Sequence, residues 1–173
     1  MRIAFALILA VVLGGSVDRN ELGQKKYKVP TGATETATFI FPKGGLRLSV
    51  FSGDYQYYRT MKGDECQLSQ KLIDYSAGIG RNTKEKPIKI EAGKKVEILG
   101  FTMKQTYGGY NSQLYSSCIN VIEFTPKANA TYNITQIPDG NNPVRSCSMD
   151  VKEVSTGRTP EDMKVLPVPN CEF

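Results

Sequence analysis

Along most of the chain apolar and polar residues alternate with a period of two, the pattern of half-buried strands rather than of a helix stripe. Leu46, Leu48 and Val50 alternate with Arg47 and Ser49, Ile88 and Ile90 with Lys89 and Glu91, and Cys147, Met149 and Val151 with Ser148, Asp150 and Lys152. Further strands are predicted over residues 36–41, 55–60, 96–103, 113–124 and 131–136. Turn formers separate them at Pro42-Lys43-Gly44-Gly45, Ser52-Gly53-Asp54, Glu91-Ala92-Gly93-Lys94 and from Pro138 to Pro143. Eight or nine short strands at this spacing predict an all-β fold, an antiparallel β-sandwich of immunoglobulin-like or transthyretin-like architecture. Leu68, Leu72, Tyr75 and Ile79 are also spaced for one face of a helix; a strand over 66–73 is the expectation. The immunoglobulin signature itself is missing, because there is no Trp and Tyr115 stands three residues before Cys118.

The sharpest local signal is Tyr107-Gly108-Gly109-Tyr110, whose glycines suit a tight two-residue hairpin turn. That turn would pair Tyr107 with Tyr110, Met103 with Leu114, Phe101 with Ser116 and Leu99 with Cys118, all on one side of the ribbon. Ile98 with Ile119 and Val96 with Val121 would lie on the other side. Both sides are then apolar, so the expectation is a core ribbon with a bulge near Gly100 that turns the inward side over or, as the second alternative, a ribbon part of which covers something else.

Composition changes the picture mainly through one absence. Among 173 residues there is no His, which removes Ser-His-Asp and Cys-His nucleophiles, HExxH zinc proteases and every His-ligated metal. No SxxK pattern occurs, and the carboxylates at Asp64, Glu65, Glu123, Asp150, Glu153, Glu161 and Asp162 are scattered. No catalytic residue, no metal site and no cofactor is therefore assigned, and the protein is expected not to be an enzyme.

The start of the chain carries one cation, Arg2, then an apolar run from Ile3 to Leu13, then Gly14, Gly15 and Ser16. Such a run is too short to span a bilayer and has the order of a secretory signal peptide over 1–16. Residues 17–35 read as an N-terminal linker and 36–173 as a single domain. Four cysteines, Cys66, Cys118, Cys147 and Cys171, follow the signal, an even number with no CxxC pair, which in an exported chain predicts two disulfides. Three pairings are possible. Cys66 with Cys118 and Cys147 with Cys171 is the expected set, since the second pair would fasten a Pro-rich tail.

Two surface features suggest binding. Tyr55, Tyr57, Tyr58 and Arg59 cluster in one predicted strand and Tyr107, Tyr110 and Tyr115 in the hairpin, and tyrosines offer rigid amphipathic contact area. Arg81, Lys84, Lys86, Lys89, Lys94 and Lys95 face only Glu85 and Glu91 within the same stretch. A basic patch of this kind suits an anionic glycan or peripheral contact with an anionic, phosphate-rich membrane surface. An exported chain has little occasion to meet nucleic acid.

Leu13-Gly14-Gly15-Ser16 is similar to a lipobox in which Ser16 replaces the lipidated Cys. Together with Leu46-Arg47-Leu48, Cys66, the run Ile90 to Lys95, and Cys118 leading to Phe124-Thr125-Pro126-Lys127-Ala128-Asn129-Ala130-Thr131-Tyr132 before Cys147, the chain resembles small uncharacterised Gram-negative envelope proteins, often lipoproteins. The resemblance implies a periplasmic β-sandwich, outer-membrane anchored if Ser16 replaces a native Cys. The expected function is non-enzymatic binding of a protein partner or an envelope polymer through the tyrosine segments. A periplasmic inhibitor or immunity protein against a toxin or enzyme is the alternative, and a carboxylate-based glycan hydrolase the third reading.

Overall fold

In a computed structural model of the chain, residues 22–44, 54–76, 85–107, 113–139 and 146–171 are described. Nine strands run in order β1 (Thr36–Ile40), β2 (Tyr55–Met61), β3 (Gln70–Ser76), β4 (Ile88–Glu91), β5 (Val96–Tyr107), β6 (Gln113–Phe124), β7 (Thr131–Asp139), β8 (Ser146–Glu153) and β9 (Lys164–Leu166). They form a four-stranded sheet, β4-β1-β7-β8, and a five-stranded sheet, β3-β2-β5-β6-β9. The predicted β-sandwich is thus observed. Its strand pairs are antiparallel except β1 with β7, which run parallel. The signal-like start, the strand expected over 46–50 and the Gly108-Gly109 turn lie outside the described residues.

The main core fills the space between the sheets. Ala37 and Phe39 of β1, with Phe41 just beyond it, meet Tyr58, Tyr75, Ile98, Ile122 and Phe124 of the other sheet, and Tyr132, Ile134 and Val151 close the layer. Phe39 stacks on Phe124 with ring centroids 5.5 Å apart, and Phe41 lies 4.5 Å from Tyr58. Each residue comes from an alternating position of its strand, so the period of two in the sequence is the inner face of each sheet. A polar bridge crosses this core beside the aromatics. The Gln56 amide donates to Thr102 Oγ1 (2.9 Å) and to the Gln136 carbonyl (3.1 Å), while the Gln136 N–H donates to the Tyr58 hydroxyl (2.7 Å).

The β5–β6 ribbon departs from the expected register. Tyr107 faces Gln113, Met103 faces Ser117 and Leu99 faces Val121, so β6 sits three residues farther along than a two-residue turn would place it. An odd shift exchanges the faces of one strand against the other. Here it puts Ile98 opposite Ile122 and Val96 opposite Phe124, so that Ile98, Ile122 and Phe124 all reach the main core. Burying those side chains outweighs the preference of two glycines for a tight turn. No bulge occurs at Gly100, whose neighbours keep an unbroken register with β6. Glycine is needed there for space: a Cβ would stand 1.9 Å from Gln136 Oε1 and 2.6 Å from Met149 Cε.

The second alternative for the two-sided ribbon is the one observed. Tyr57, Met61, Leu99, Phe101 and Val121, on the outer face of the five-stranded sheet, form a second core with Leu22, and Cys66, Leu166 and Cys171 pack at its border. Residues 22–29, expected to be linker, therefore belong to the fold. Lys71 N–H donates to Lys25 O (2.8 Å) and Tyr27 N–H to Lys71 O (2.9 Å), adding a short parallel strip beside β3.

The cysteines pair as Cys66–Cys171 and Cys118–Cys147, with Cα atoms 6.0 and 5.8 Å apart, which corrects the expected pairing. Cys118 lies on the inward side of β6 facing β8, so its bridge ties one sheet to the other. Cys171 does fasten the tail, but to the 3-10 turn Cys66–Leu68 that precedes β3. The segment expected as one strand over 66–73 is thus a turn followed by β3.

Candidate functional site

The structure separates the predicted binding residues instead of joining them. Tyr57 (3% exposed), Tyr58 (0%) and Arg59 (2%) are buried, and Tyr55 is half-buried, so the Tyr55–Arg59 strand is not a contact surface. The reason is its place in the sheet: β2 lies between β3 and β5, with one core on each side. Tyr58 points into the main core and Tyr57 into the second, stacked on Phe101 at 4.8 Å with the Arg59 guanidinium over its ring at 4.6 Å. Arg59 also pairs with Asp74 at 2.6 Å. Burial raises the ionisation of the Tyr57 and Tyr58 hydroxyls well above their ordinary range. Tyr115 is exposed on β6. The Tyr107 side chain and Tyr110 lie outside the described residues.

The basic stretch divides between two hollows on the open side of the sandwich, where β3 and β4 form the outermost strands of their sheets. Tyr27 lines both. It is held there because its hydroxyl accepts the Glu91 N–H (3.3 Å), while its ring packs against the main core. The smaller hollow, about 360 Å³, holds Lys94 and Lys95 among acidic neighbours. Lys94 pairs with Glu91 at 2.7 Å and Lys95 with Glu123 at 2.8 Å, so its charge is locally balanced.

The larger hollow is different. About 610 Å³ in volume, it has Leu72, Ile73 and Ile88 among its apolar lining, and Lys26, Lys71, Lys86 and Lys89 stand round it with Asp74 as the single carboxylate. Asp74 is already engaged by Arg59 and by Lys71 (2.7 Å). Lys89 donates to Thr38 Oγ1 (2.9 Å), and Lys26 and Lys86 have no ion-pair partner among the described residues. The result is a concave, partly apolar cleft with uncompensated positive charge, suited to an anionic ligand. Of the predicted basic residues only Lys86 and Lys89 line it; Arg81 and Lys84 lie outside the described residues. Sequence reasoning missed Lys26 and Lys71, since nothing local shows that the N-terminal segment packs beside β3. Alternation in Ile73-Asp74-Tyr75-Ser76 is the signal available for β3, and the competing helical spacing obscures it.

Among the described residues, no group of three or more Cys, Asp or Glu converges as metal ligands, and no helix is long and apolar enough to cross a membrane. The two disulfides indicate an oxidising, exported compartment. The chain matches no protein-family model, and comparison with curated proteins and with solved structures finds no match.

Proposed function

We propose that the chain is a non-catalytic exported binding protein of the bacterial envelope, and that it holds a protein partner in the cleft between β3 and β4. One observation carries the reading: a cleft of about 610 Å³ with an apolar lining and four lysines whose one carboxylate is already paired. Buried apolar area would give the complex its strength, and the lysines would steer and orient an anionic surface. The disulfide pair and the signal-like start support a periplasmic location. The tyrosine strand is set aside as a contact surface because its side chains are occupied inside the protein.

A photo-reactive residue placed at Lys86 and, as control, at the exposed Val154 on the far side of the sandwich tests this in the native compartment. A protein adduct at Lys86, lost in Lys26→Glu, Lys89→Glu and absent at Val154, is the expected result. An adduct that resists proteinase but yields to glycan-degrading enzymes would replace the protein partner with an envelope polymer. If the captured protein is an exported toxin or enzyme whose activity falls on binding, the binder is an inhibitor.

A further inference from the structure

Resting on that reading, we propose that the occupant of the cleft is an extended acidic segment of the partner, added as a strand along the outer edge of β3. Both walls are sheet edges, since β3 ends the five-stranded sheet and β4 ends the four-stranded one. An edge presents N–H and C=O groups that template another extended chain. The edge of β3 already takes such an addition, because Lys25–Tyr27 hydrogen-bonds to both backbone groups of Lys71. Beyond Tyr27 the chain turns at Pro30, with Ala33 N–H donating to Pro30 O (3.0 Å). From Ile73 to Ser76 no described residue pairs with the outer edge of β3.

Charge and shape select the chemistry of the added strand. In an extended segment alternate side chains point to opposite sides. One set would meet the apolar lining at Leu72 and Ile88, and the other would reach Lys26, Lys86 and Lys89. A segment alternating apolar and acidic residues satisfies both. An anionic glycan would meet the lysines and leave the sheet edge unused, and a bilayer surface would not enter a concave cleft.

The probe is a short synthetic peptide of alternating Val and Glu, compared with the same peptide N-methylated on alternate amides and with a sulfated glycan. The Val-Glu peptide is expected to bind, to slow amide exchange within residues 73–76, and to lose about tenfold or more in affinity on N-methylation. Lys86→Glu with Lys89→Glu should weaken it by about tenfold and flatten its salt dependence. Both side chains are exposed, so the variant should keep the circular dichroism of the parent. Equal binding of both peptides, tighter binding of the glycan, or exchange protection confined to other strands would each overturn strand addition. Self-association abolished by the same double variant would also overturn it, by making the occupant a second copy of this chain. A protein adduct at Lys86 without peptide binding sinks the strand and spares the cleft; failure of both sinks the two together.

Discussion

The two faces of the five-stranded sheet bury apolar side chains by different means. Its inner face is covered by another sheet, so Phe39, Tyr132 and Ile134 press on Tyr58, Ile122 and Phe124 from strands with their own hydrogen-bonded ladders. On its outer face, Tyr57, Leu99, Phe101 and Val121 meet Leu22 from the N-terminal segment and, at the border, the Cys66–Cys171 bridge from the tail. A face closed by a sheet unfolds with the whole domain; one closed by chain ends opens by itself when they are released. The inter-sheet bridge Cys118–Cys147 accordingly belongs to the first layer and Cys66–Cys171 to the second.

The largest expected effect is alkaline, and it involves both layers. Tyr58 and Tyr75 in the main core and Tyr57 in the second all have hydroxyls whose ionisation is raised, chiefly by burial, above the ordinary 10.0. Tyr58 accepts the Gln136 N–H and Tyr75 donates to the Phe41 carbonyl, whereas the Tyr57 hydroxyl is buried with no hydrogen-bond partner among the described residues. Because the folded state holds these protons more tightly than the unfolded chain, their stabilisation is complete below pH 10 and is lost as pH rises above it. Melting temperature should be flat on the neutral side and fall steeply in alkali, with tyrosinate absorbance rising as the fold is lost. If the layers differ as argued, Tyr57 gives tyrosinate before Tyr58 and Tyr75, and Tyr57→Phe removes the first of the phases that these three buried hydroxyls contribute.

The disulfides separate the layers next. Loop closure alone would rank Cys66–Cys171, with a separation of 105, above Cys118–Cys147 at 29, by about 4.7 against about 3.6 kcal/mol. The architecture reverses that order for global stability. Replacing Cys118 and Cys147 by Ser should cost roughly 3 to 4 kcal/mol in denaturant unfolding. Replacing Cys66 and Cys171 should instead speed tryptic cleavage at Lys25, Lys26 and Lys28 while leaving most of the global transition in place. A larger global loss from the second variant would show that the outer layer is no separate unit.

What the sequence made legible follows the same division. Alternation located β1, β4, β7 and β8, because a half-buried strand writes its inner face into every second residue, while β2, β5 and β6, buried on both faces, showed as apolar runs between turn formers. The outer layer was visible only as an excess: Leu99, Phe101 and Val121 were apolar where a sandwich needs one inner face. Which segment covered them was not visible, since Leu22 carries no periodic pattern of its own and meets β5 only through the tertiary fold. The same non-local character hid the cysteine pairing and the β6 register, where burial of Ile122 and Phe124 overrode the glycine turn. β9 was missed because its three residues, Lys164–Leu166, are too short to show a period. Half of the cleft was legible through Lys86 and Lys89; Lys26 and Lys71 come to it only after the N-terminal segment has packed beside β3.

Leu22 gives the next, smaller effect. It is 1% exposed, and its side chain belongs to the apolar cluster of the outer face. Leu22→Ala removes buried methyl groups in a layer able to relax by releasing a chain end, so its cost should sit at the lower end for such changes, about 2 kcal/mol. Increased dye binding to exposed apolar surface, with near-unchanged thermal unfolding of the main core, is the expected signature.

The smallest effect is expected at Tyr115, and it tests how the tyrosines should be read. It lies on β6 opposite Gln105, on the same side of the sheet as Leu99, Phe101 and Val121. Those residues are sealed beneath the chain ends, whereas Tyr115 is 57% exposed. Tyr115→Ala should therefore change stability by no more than about 0.5 kcal/mol, the range of surface substitutions. Tyr57→Ala, on the same face but stacked on Phe101 beneath Arg59, should cost several times more, about 3 kcal/mol. Comparing the two by denaturant unfolding places the border of the outer layer between them; equal losses would extend that layer to Tyr115.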